Sequence, residues 1–330
     1  MLTLRNNWTF AEAQQIYQQP FMDLVLQAQQ IHRLSFAANT IQVCGIYNMK
    51  VGGCPEDCAW CGQSVYNETG VKNKPLANLE TIVNQAKAAK ASGATRLCLA
   101  ASWRGPTERN LAEVLEMVKT IKSFGLEACI TIGKLKPSQA LALKEAGLDY
   151  YNHNLESSEE HFAKVSTTRQ YQDRLDTLEH VRNAGINVCS GGILGMGETL
   201  EDRINLLLTL ANLPEHPQSV PINQLVPIAG TPLQNAEKVD EFDFIRAIAL
   251  ARILMPKAYV RLSGGRVQMS NTMQALCFMA GANSIHHSEN LLVTPNVDMA
   301  KDTDLFQMLG IQAEPPSAAA KTIPCQVIHS

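Results

Sequence analysis

Three cysteines, Cys54, Cys58 and Cys61, stand within eight residues in the segment GGCPEDCAWCGQS. The spacing C-x3-C-x2-C gathers three thiols on one loop. A structural zinc site closes with four ligands and commonly uses paired C-x2-C arms. Here no fourth cysteine lies beside the triplet. Three thiolates suit three irons of a 4Fe–4S cluster, which leaves the fourth iron open for a small molecule to chelate. Gly52, Gly53 and Pro55 fit a tight loop around such a group. A zinc loop or a chance grouping of thiols is the competing reading.

Three further cysteines, Cys98, Cys129 and Cys189, fall on separate short apolar segments, and Arg261 falls on another. Alternate side chains of a strand face the same way. The flanking apolar residues can therefore point outward while these four point into an interior. A buried guanidinium needs partners, and anionic thiolates and sulfides would supply them. Arg96, two residues before Cys98, faces inward by the same alternation. The alternative is ordinary buried cysteines beside a salt-bridged arginine. Asn152, Asn154 and Glu156 alternate along one predicted strand and would line the same interior, or be common polar residues at a strand end. The Asn223 amide, in VPINQLV, can both donate and accept. Gly191 and Gly192 permit close backbone approach or a simple turn. Cys44, Cys277 and Cys325 are expected to be structural or incidental. His286 and His287 are adjacent and so face opposite sides of a strand, which disfavours a joint metal site.

The elements that would position these groups follow one grammar: a helix, a glycine, then an apolar strand. Glycine just past a helix tolerates the left-handed turn that closes it, and Gly93, Gly125, Gly147 and Gly185 stand there. Strands are predicted over 41–48, 96–101, 127–132, 149–154, 187–192, 219–226, 259–263 and 284–287. Helices are predicted over 171–184 and 241–254. Pro137 opens another, and Thr199 with Asp202 resembles a capping box. Alternating strands and helices argue for a parallel sheet. About eight units predict an α/β fold of the (βα)8 TIM-barrel type. The open doubly wound alternative lacks a G-x-G-x-x-G after its first strand. The expected organisation is an N-terminal helical extension over 1–38, a barrel region over 39–311 with its core at about 39–266, and a flexible tail over 312–330.

The chain has 330 residues, 45% hydrophobic and 18% charged, with a formal charge of −3, which excludes a disordered chain and gives no basic face for nucleic acid or anionic membrane. The most apolar stretch, 242–255, is interrupted by Arg246 and Arg252, so no membrane span is expected. No secretory leader pattern is evident at the N-terminus. The expected location is the cytoplasm, where disulfides are rare and metal ligation is the stronger use of clustered cysteines.

C-x3-C-x-aromatic-C, with Trp60 before the last cysteine, resembles the signature of the radical S-adenosylmethionine superfamily, and it follows the first predicted strand as it does there. The wider text is similar to the biotin synthase family from about Ile41 to Ile285: GGCPEDCAWCGQS, DYYNHNLESS, TTRQYQDRLDTLEHVRNAGINVCSGGILGMGE, SVPINQLVPIAGTPL, FDFIRAIALARILMP, YVRLSGGR and CFMAGANSI. The resemblance implies a (βα)8 barrel that makes biotin from dethiobiotin, the last step of biotin formation. It implies a 4Fe–4S cluster on Cys54, Cys58 and Cys61 whose open iron chelates S-adenosylmethionine. One electron then cleaves the sulfonium to methionine and a 5′-deoxyadenosyl radical, which abstracts unactivated hydrogens. It also implies a 2Fe–2S cluster on Cys98, Cys129, Cys189 and Arg261 as the sulfur donor, with Arg96 beside it. Asn152, Asn154, Glu156, Gly191, Gly192 and Asn223 would contact substrate or S-adenosylmethionine, although the family usually has aspartate at the position of Glu156. A reduced flavodoxin- or ferredoxin-type electron donor, iron–sulfur assembly proteins and a homodimer complete the implied partners. Two stretches depart from the family. CGIYNMKVG stands where the first strand reads like T-L-L-S-I-K-T-G, and SIHHSENLLVT stands where the last reads like S-I-F-Y-G-x-K-L-L-T-T. Rival readings are a superfamily enzyme acting on another small molecule and an iron–sulfur electron carrier.

Overall fold

The computed structural model describes residues 4–315. Strands β1 (Thr40–Lys50), β2 (Arg96–Ala101), β3 (Glu127–Thr131), β4 (Tyr150–Asn152), β5 (Asn187–Cys189), β6 (Gly192–Leu194), β7 (Ser219–Gln224), β8 (Tyr259–Leu262) and β9 (Ser284–His286) pair in parallel. Both β5 and β6 pair with β7, so they occupy one position of the wall. Pairing of β9 with β1 closes a barrel of eight strand positions. The predicted α/β barrel is the observed one.

Alternation builds the wall. Leu97, Leu99, Ala128, Ile130, Tyr151, Val188, Val220, Ile222, Val260, Leu262 and Ile285 are buried on the outer side of the strands, within the main hydrophobic core. Full burial of each aliphatic side chain contributes roughly 1.5–3 kcal/mol. Cys98, Cys129, Cys189 and Arg261 take the opposite parity and are also buried. The covering helices are α1 (Phe10–Tyr17), α2 (Phe21–Ser35), α3 (Leu79–Ala91), α4 (Glu108–Ser123), α5 (Pro137–Glu145), α6 (Glu159–Val165), α7 (Tyr171–Asn183), α8 (Leu200–Ala211), α9 (Glu241–Leu254), α10 (Asn271–Met279) and α11 (Met299–Leu309). Helix α9 is buried nearly all round because α2 packs over it. The one charge deep in its face, Arg252, donates to the carbonyls of Gly281, Pro256 and Ala258 and to Asn283 Oδ1 at 2.8–3.1 Å. The Thr199–Asp202 capping box forms, and Pro137 opens α5.

Two strand expectations and the tail boundary need correction. The strand predicted over 149–154 ends at Asn152, so Asn154 and Glu156 lie beyond it. Glu156 takes a left-handed backbone (φ 71°) and bridges Gly192. The strand predicted over 187–192 breaks after Cys189, because the chain there passes against Pro221. The tail was expected from 312, but Gln312–Ala313 pairs with the start of β1, and Glu314 accepts from the Tyr259 hydroxyl at 2.8 Å. Cys325 lies outside the described residues.

Candidate active site in and above the barrel

The cysteine loop leaves the C-terminal end of β1, the face where βα-loops build active sites in this architecture. Its shape is fixed by the backbone. Cys54 N donates to the Gln63 carbonyl (2.9 Å), and Cys61 N donates to the Cys58 carbonyl (3.0 Å). Asn67 Nδ2 donates to both the Cys58 carbonyl (3.1 Å) and the Cys61 carbonyl (2.8 Å). Asp57 anchors the loop to the segment after α6, accepting from Thr167 N (2.9 Å), Thr168 N (3.1 Å) and Ser166 Oγ (3.0 Å). Gly53 has φ 68°, and a Cβ there would stand 2.7 Å from the Asn73 side chain. The left-handed backbone therefore favours glycine, and a larger residue would also have to displace the Asn73 side chain.

Burial pushes all three loop thiols up, Cys61 to about 12. The positive charges of Arg174 and Arg169 pull Cys58 back, and that of Arg169 does the same for Cys54. Cationic metal centres would stabilise thiolates in such a place. Buried Glu56 lies 3.3 Å from Arg104 and 3.2 Å from Arg169, which ties these arginines to the loop.

Below the loop, inside the barrel, Cys98 and Cys129 are direct neighbours on β2 and β3. With Tyr150 and Cys189 they form a small cluster of their own, separate from the outer core. Arg261 reaches across this floor. Its Nη1 lies 4.0 Å from Cys189 Sγ, its Nη2 lies 3.3 Å from Cys44 Sγ, and its Nε donates to Ser284 Oγ at 3.0 Å. Arg96 stacks on the Tyr150 ring at 3.3 Å and donates to Glu127 at 2.9 and 3.0 Å. Arg96 Nη1, Ser190 Oγ and Ser219 Oγ are buried without a protein partner. Buried polar atoms are normally satisfied, so the inward-facing Arg96 and Ser219 mark a floor that a polar group would complete. Among the described residues, no three histidine, cysteine, aspartate or glutamate side chains are gathered tightly enough for a single metal ion. The donor set of separate soft thiols instead suits a multi-iron cluster.

A cavity of about 100 Å³ sits on this floor, lined among others by Cys98, Cys129, Asn152, Asn154, Asn223 and Arg261. Asn152 Nδ2 donates to Asn154 Oδ1 (3.0 Å) and approaches Cys189 Sγ (3.4 Å). Asn154 Nδ2 approaches Glu156 (3.4 Å). Burial raises the Glu156 carboxyl against the pull of Arg174, which lies 3.9 Å away. Asn223 bridges Gly192 O (2.9 Å) and Gly264 N (2.8 Å), which fixes its amide in the rim. Gly191 donates to Asn154 Oδ1 (3.3 Å). A Cβ on Gly191 would stand 1.8 Å from the Pro221 carbonyl oxygen. Gly191→Ala is therefore expected to cost at least about 1–3 kcal/mol through overpacking. Urea unfolding would read this as a lower midpoint, and an unchanged midpoint would mean the strands separate freely there.

The barrel interior gathers Cys98, Cys129 and Cys189 with Arg261, Asn152, Asn154 and Asn223, the loop cysteines lie on the segment after β1, and two further inward residues join the floor. Cys44, expected to be structural or incidental, is fully buried in the barrel beside Arg261. His286 also faces inward, with Nε2 3.5 Å from Arg261 Nη1 and Nδ1 3.0 Å from Ser263 Oγ. His287 turns outward toward the Met299 carbonyl, as alternation requires. The parity of Gln42, Cys44, Ile46 and Asn48 along β1 was the available signal for Cys44. Cys277 lies in the outer core on α10.

Residues 49–210 match the radical SAM superfamily, and residues 221–312 match the Biotin and Thiamin Synthesis associated domain. Among solved structures, methylornithine synthase aligns with a TM-score of 0.79 at 18% identity, covering 93% of this chain and 94% of that one. The FeFe-hydrogenase maturase HydG from Carboxydothermus hydrogenoformans aligns with a TM-score of 0.80 at 18% identity, covering 94% and 77%. These two likenesses establish the fold. With the superfamily match over the cysteine loop, the chain is a radical S-adenosylmethionine enzyme. Among curated proteins, the biotin synthase of Acinetobacter baumannii is 54% identical over 96% of both chains, and that of Pseudomonas fluorescens is 54% identical over 94% of this chain and 89% of its own. The chain therefore belongs to the biotin synthase family: it is a sulfurtransferase that carries an iron–sulfur cluster, uses S-adenosylmethionine and converts dethiobiotin to biotin. Among the described residues, no helix is long and apolar enough to cross a membrane.

Proposed function

We propose that Cys54, Cys58 and Cys61 hold a 4Fe–4S cluster, and that Cys98, Cys129, Cys189 and Arg261 hold a 2Fe–2S cluster that gives up its sulfur. The observation that carries this reading is the second set of buried thiols around Arg261, because a radical enzyme that donated no sulfur would not need it. When bound, the two groups supply the electron that cleaves S-adenosylmethionine and the sulfur that replaces two C–H bonds. The chain's own residues do the rest. The cavity walls exclude water from the reacting carbon. Asn152, Asn154 and Asn223 offer amides that can donate and accept toward substrate polar groups. Glu156 presents a carboxylate toward S-adenosylmethionine while Arg174 balances its charge. The Gly191–Gly192 backbone permits close approach, and Arg96 lends positive charge beneath the second group. The electron donor is of the flavodoxin or ferredoxin type, iron–sulfur assembly proteins load the sites, and the enzyme works as a cytoplasmic homodimer.

The test is an anaerobic assay of reconstituted protein with dethiobiotin and S-adenosylmethionine, read by mass spectrometry. The expected result is biotin from the parent. Cys129→Ala should cleave S-adenosylmethionine yet yield no biotin. Full biotin yield from Cys129→Ala would refute the second-site reading.

A further inference from the structure

We propose that the surface formed by Val65, Tyr66, Lys72, Lys74 and Arg104 is where an acidic one-electron carrier protein docks to reduce the group held by the cysteine loop. This rests on the reading that Cys54, Cys58 and Cys61 hold a 4Fe–4S cluster.

The chain comes to the surface soon after the last loop cysteine. Val65 and Tyr66 are 61% and 63% exposed, large apolar side chains turned to solvent on an otherwise polar rim. Tyrosine and arginine are enriched where protein surfaces meet, with polar residues around them. The backbone ties this pair to the cysteines. Val65 N donates to the Cys54 carbonyl at 2.9 Å, Ser64 bridges Cys54, and Tyr66 N donates to Ser64 Oγ at 3.1 Å. The next residue, Asn67, holds the Cys58 and Cys61 carbonyls. A carrier seated on Val65 is therefore one hydrogen bond from a cysteine of the loop. Electron transfer weakens steeply with distance, so a short, fixed path is what such an encounter needs.

The exposed charge around the pair is mostly positive. Lys72 and Lys74 are exposed on the segment that lies against the loop's start: Lys74 N donates to the Val51 carbonyl at 2.9 Å, and the Lys72 carbonyl lies against Gly52. Arg104, from the segment after β2, is half-exposed and reaches Glu56 at 3.3 Å. The loop's own acids are matched within the protein. Glu56 is buried against Arg104 and Arg169, and Asp57 accepts from Thr167 and Thr168. Exposed Glu68 stands against Lys72, Lys74 and Arg104. The chain as a whole is −3, so these cations are a local feature and not an overall bias. Complementary charge speeds encounter and orients the partner. The surface thus fits a carrier with a negative face. In each encounter one electron leaves the carrier and reduces the loop group by one, and no covalent bond is made or broken.

The experiment uses loaded full-length protein under anaerobic conditions, with S-adenosylmethionine and either reduced flavodoxin or reduced methyl viologen, a small cationic reductant. Two quantities are read: the initial rate of 5′-deoxyadenosine release, and the lysines joined to flavodoxin by a zero-length carbodiimide cross-linker. Lys72→Glu/Lys74→Glu should lower the flavodoxin-driven rate by about tenfold or more at low salt, with the gap narrowing as salt is added. Its viologen-driven rate should stay parental. Lys87→Glu/Lys257→Glu, the same charge change at exposed sites on α3 and before β8, should keep both rates. Cross-links on the parent should fall on Lys72 and Lys74. The inference fails if the Lys72/Lys74 variant keeps the parental flavodoxin rate, if the viologen rate falls equally, or if cross-links map elsewhere. It also fails if that variant or Tyr66→Ala changes the number of subunits in light scattering, because the surface is then a contact between copies. If the parent releases no 5′-deoxyadenosine even with viologen, the cluster reading of the loop is wrong, and this assignment falls with it.

Discussion

Cys58→Ala abolishes S-adenosylmethionine cleavage while leaving the protein folded. Cys58 supplies one of only three thiols on the loop, and no neighbouring side chain can replace it: the nearest polar group to its sulfur is Ser166 Oγ at 3.6 Å. Cleavage is expected to fall by at least about a thousandfold, or ~4 kcal/mol of barrel-mouth chemistry. The fold survives because the groups that hold the loop are not the thiols. The Cys58 and Cys61 carbonyls are held by Asn67, the Ala59 amide donates to the Val165 carbonyl at 2.9 Å, and Asp57 is gripped by Thr167 and Thr168. Mössbauer spectra of the variant should lack the 4Fe–4S signal and retain the 2Fe–2S signal, with the melting temperature close to that of the parent. Loss of both signals from a folded variant would show that the two sites are not independent.

Much of this site was legible because its chemistry depends on local spacing or strict alternation. The triplet Cys54, Cys58 and Cys61 is a local pattern, and the inward parity of Cys98, Cys129, Cys189 and Arg261 follows from strand geometry once the strands are placed. The barrel was legible because α3, α4, α5 and α7 each end just before a glycine, Gly93, Gly125, Gly147 and Gly185, followed by a short apolar run. What failed to show depended on tertiary contact. Nothing local says that the strand predicted over 149–154 must stop at Asn152. It stops there because Glu156 turns left-handed to bridge Gly192 across the rim. The break after Cys189 comes from the Pro221 carbonyl, a residue thirty positions away. The surroundings of Cys44 were not legible because it stands alone in its segment, and its neighbours Arg261 on β8 and Ser284 and His286 on β9 arrive from the far end of the chain. Glu314 and the short pairing at Gln312–Ala313 were hidden for the same reason, since a two-residue strand carries no periodicity.

Asp302→Ala is expected to destabilise the protein by about 3–5 kcal/mol, the usual consequence of leaving a buried charge alone. Asp302 sits on α11 and Arg266 in the turn after β8, and both side chains are fully buried. The guanidinium donates to both Asp302 oxygens, including Nη1 to Oδ2 at 3.2 Å, and to Gln274 Oε1 at 3.1 and 2.9 Å. Its Nη1 also reaches the His286 carbonyl at 3.4 Å. The arginine thus ties α10 and α11 to the end of β9, the strand that closes the barrel. With alanine at 302, no other carboxylate among the described residues reaches this guanidinium, and burying it unpaired is costly. At roughly 2–4 °C per kcal/mol for a chain of this order, the melting temperature should drop by about 6–20 °C. Asp302→Asn keeps an acceptor and should lose less. The double variant Arg266→Met/Asp302→Leu removes both charges and should recover most of the loss, because a well-packed apolar pair often equals a buried ion pair. Thermal unfolding followed by circular dichroism separates the cases. If Asp302→Ala and the double variant melt together, the pair contributes packing alone. If the double variant is far more stable than the single, the cost lies in the stranded cation, and the barrel's closing strand depends on a charge that the reaction itself never touches.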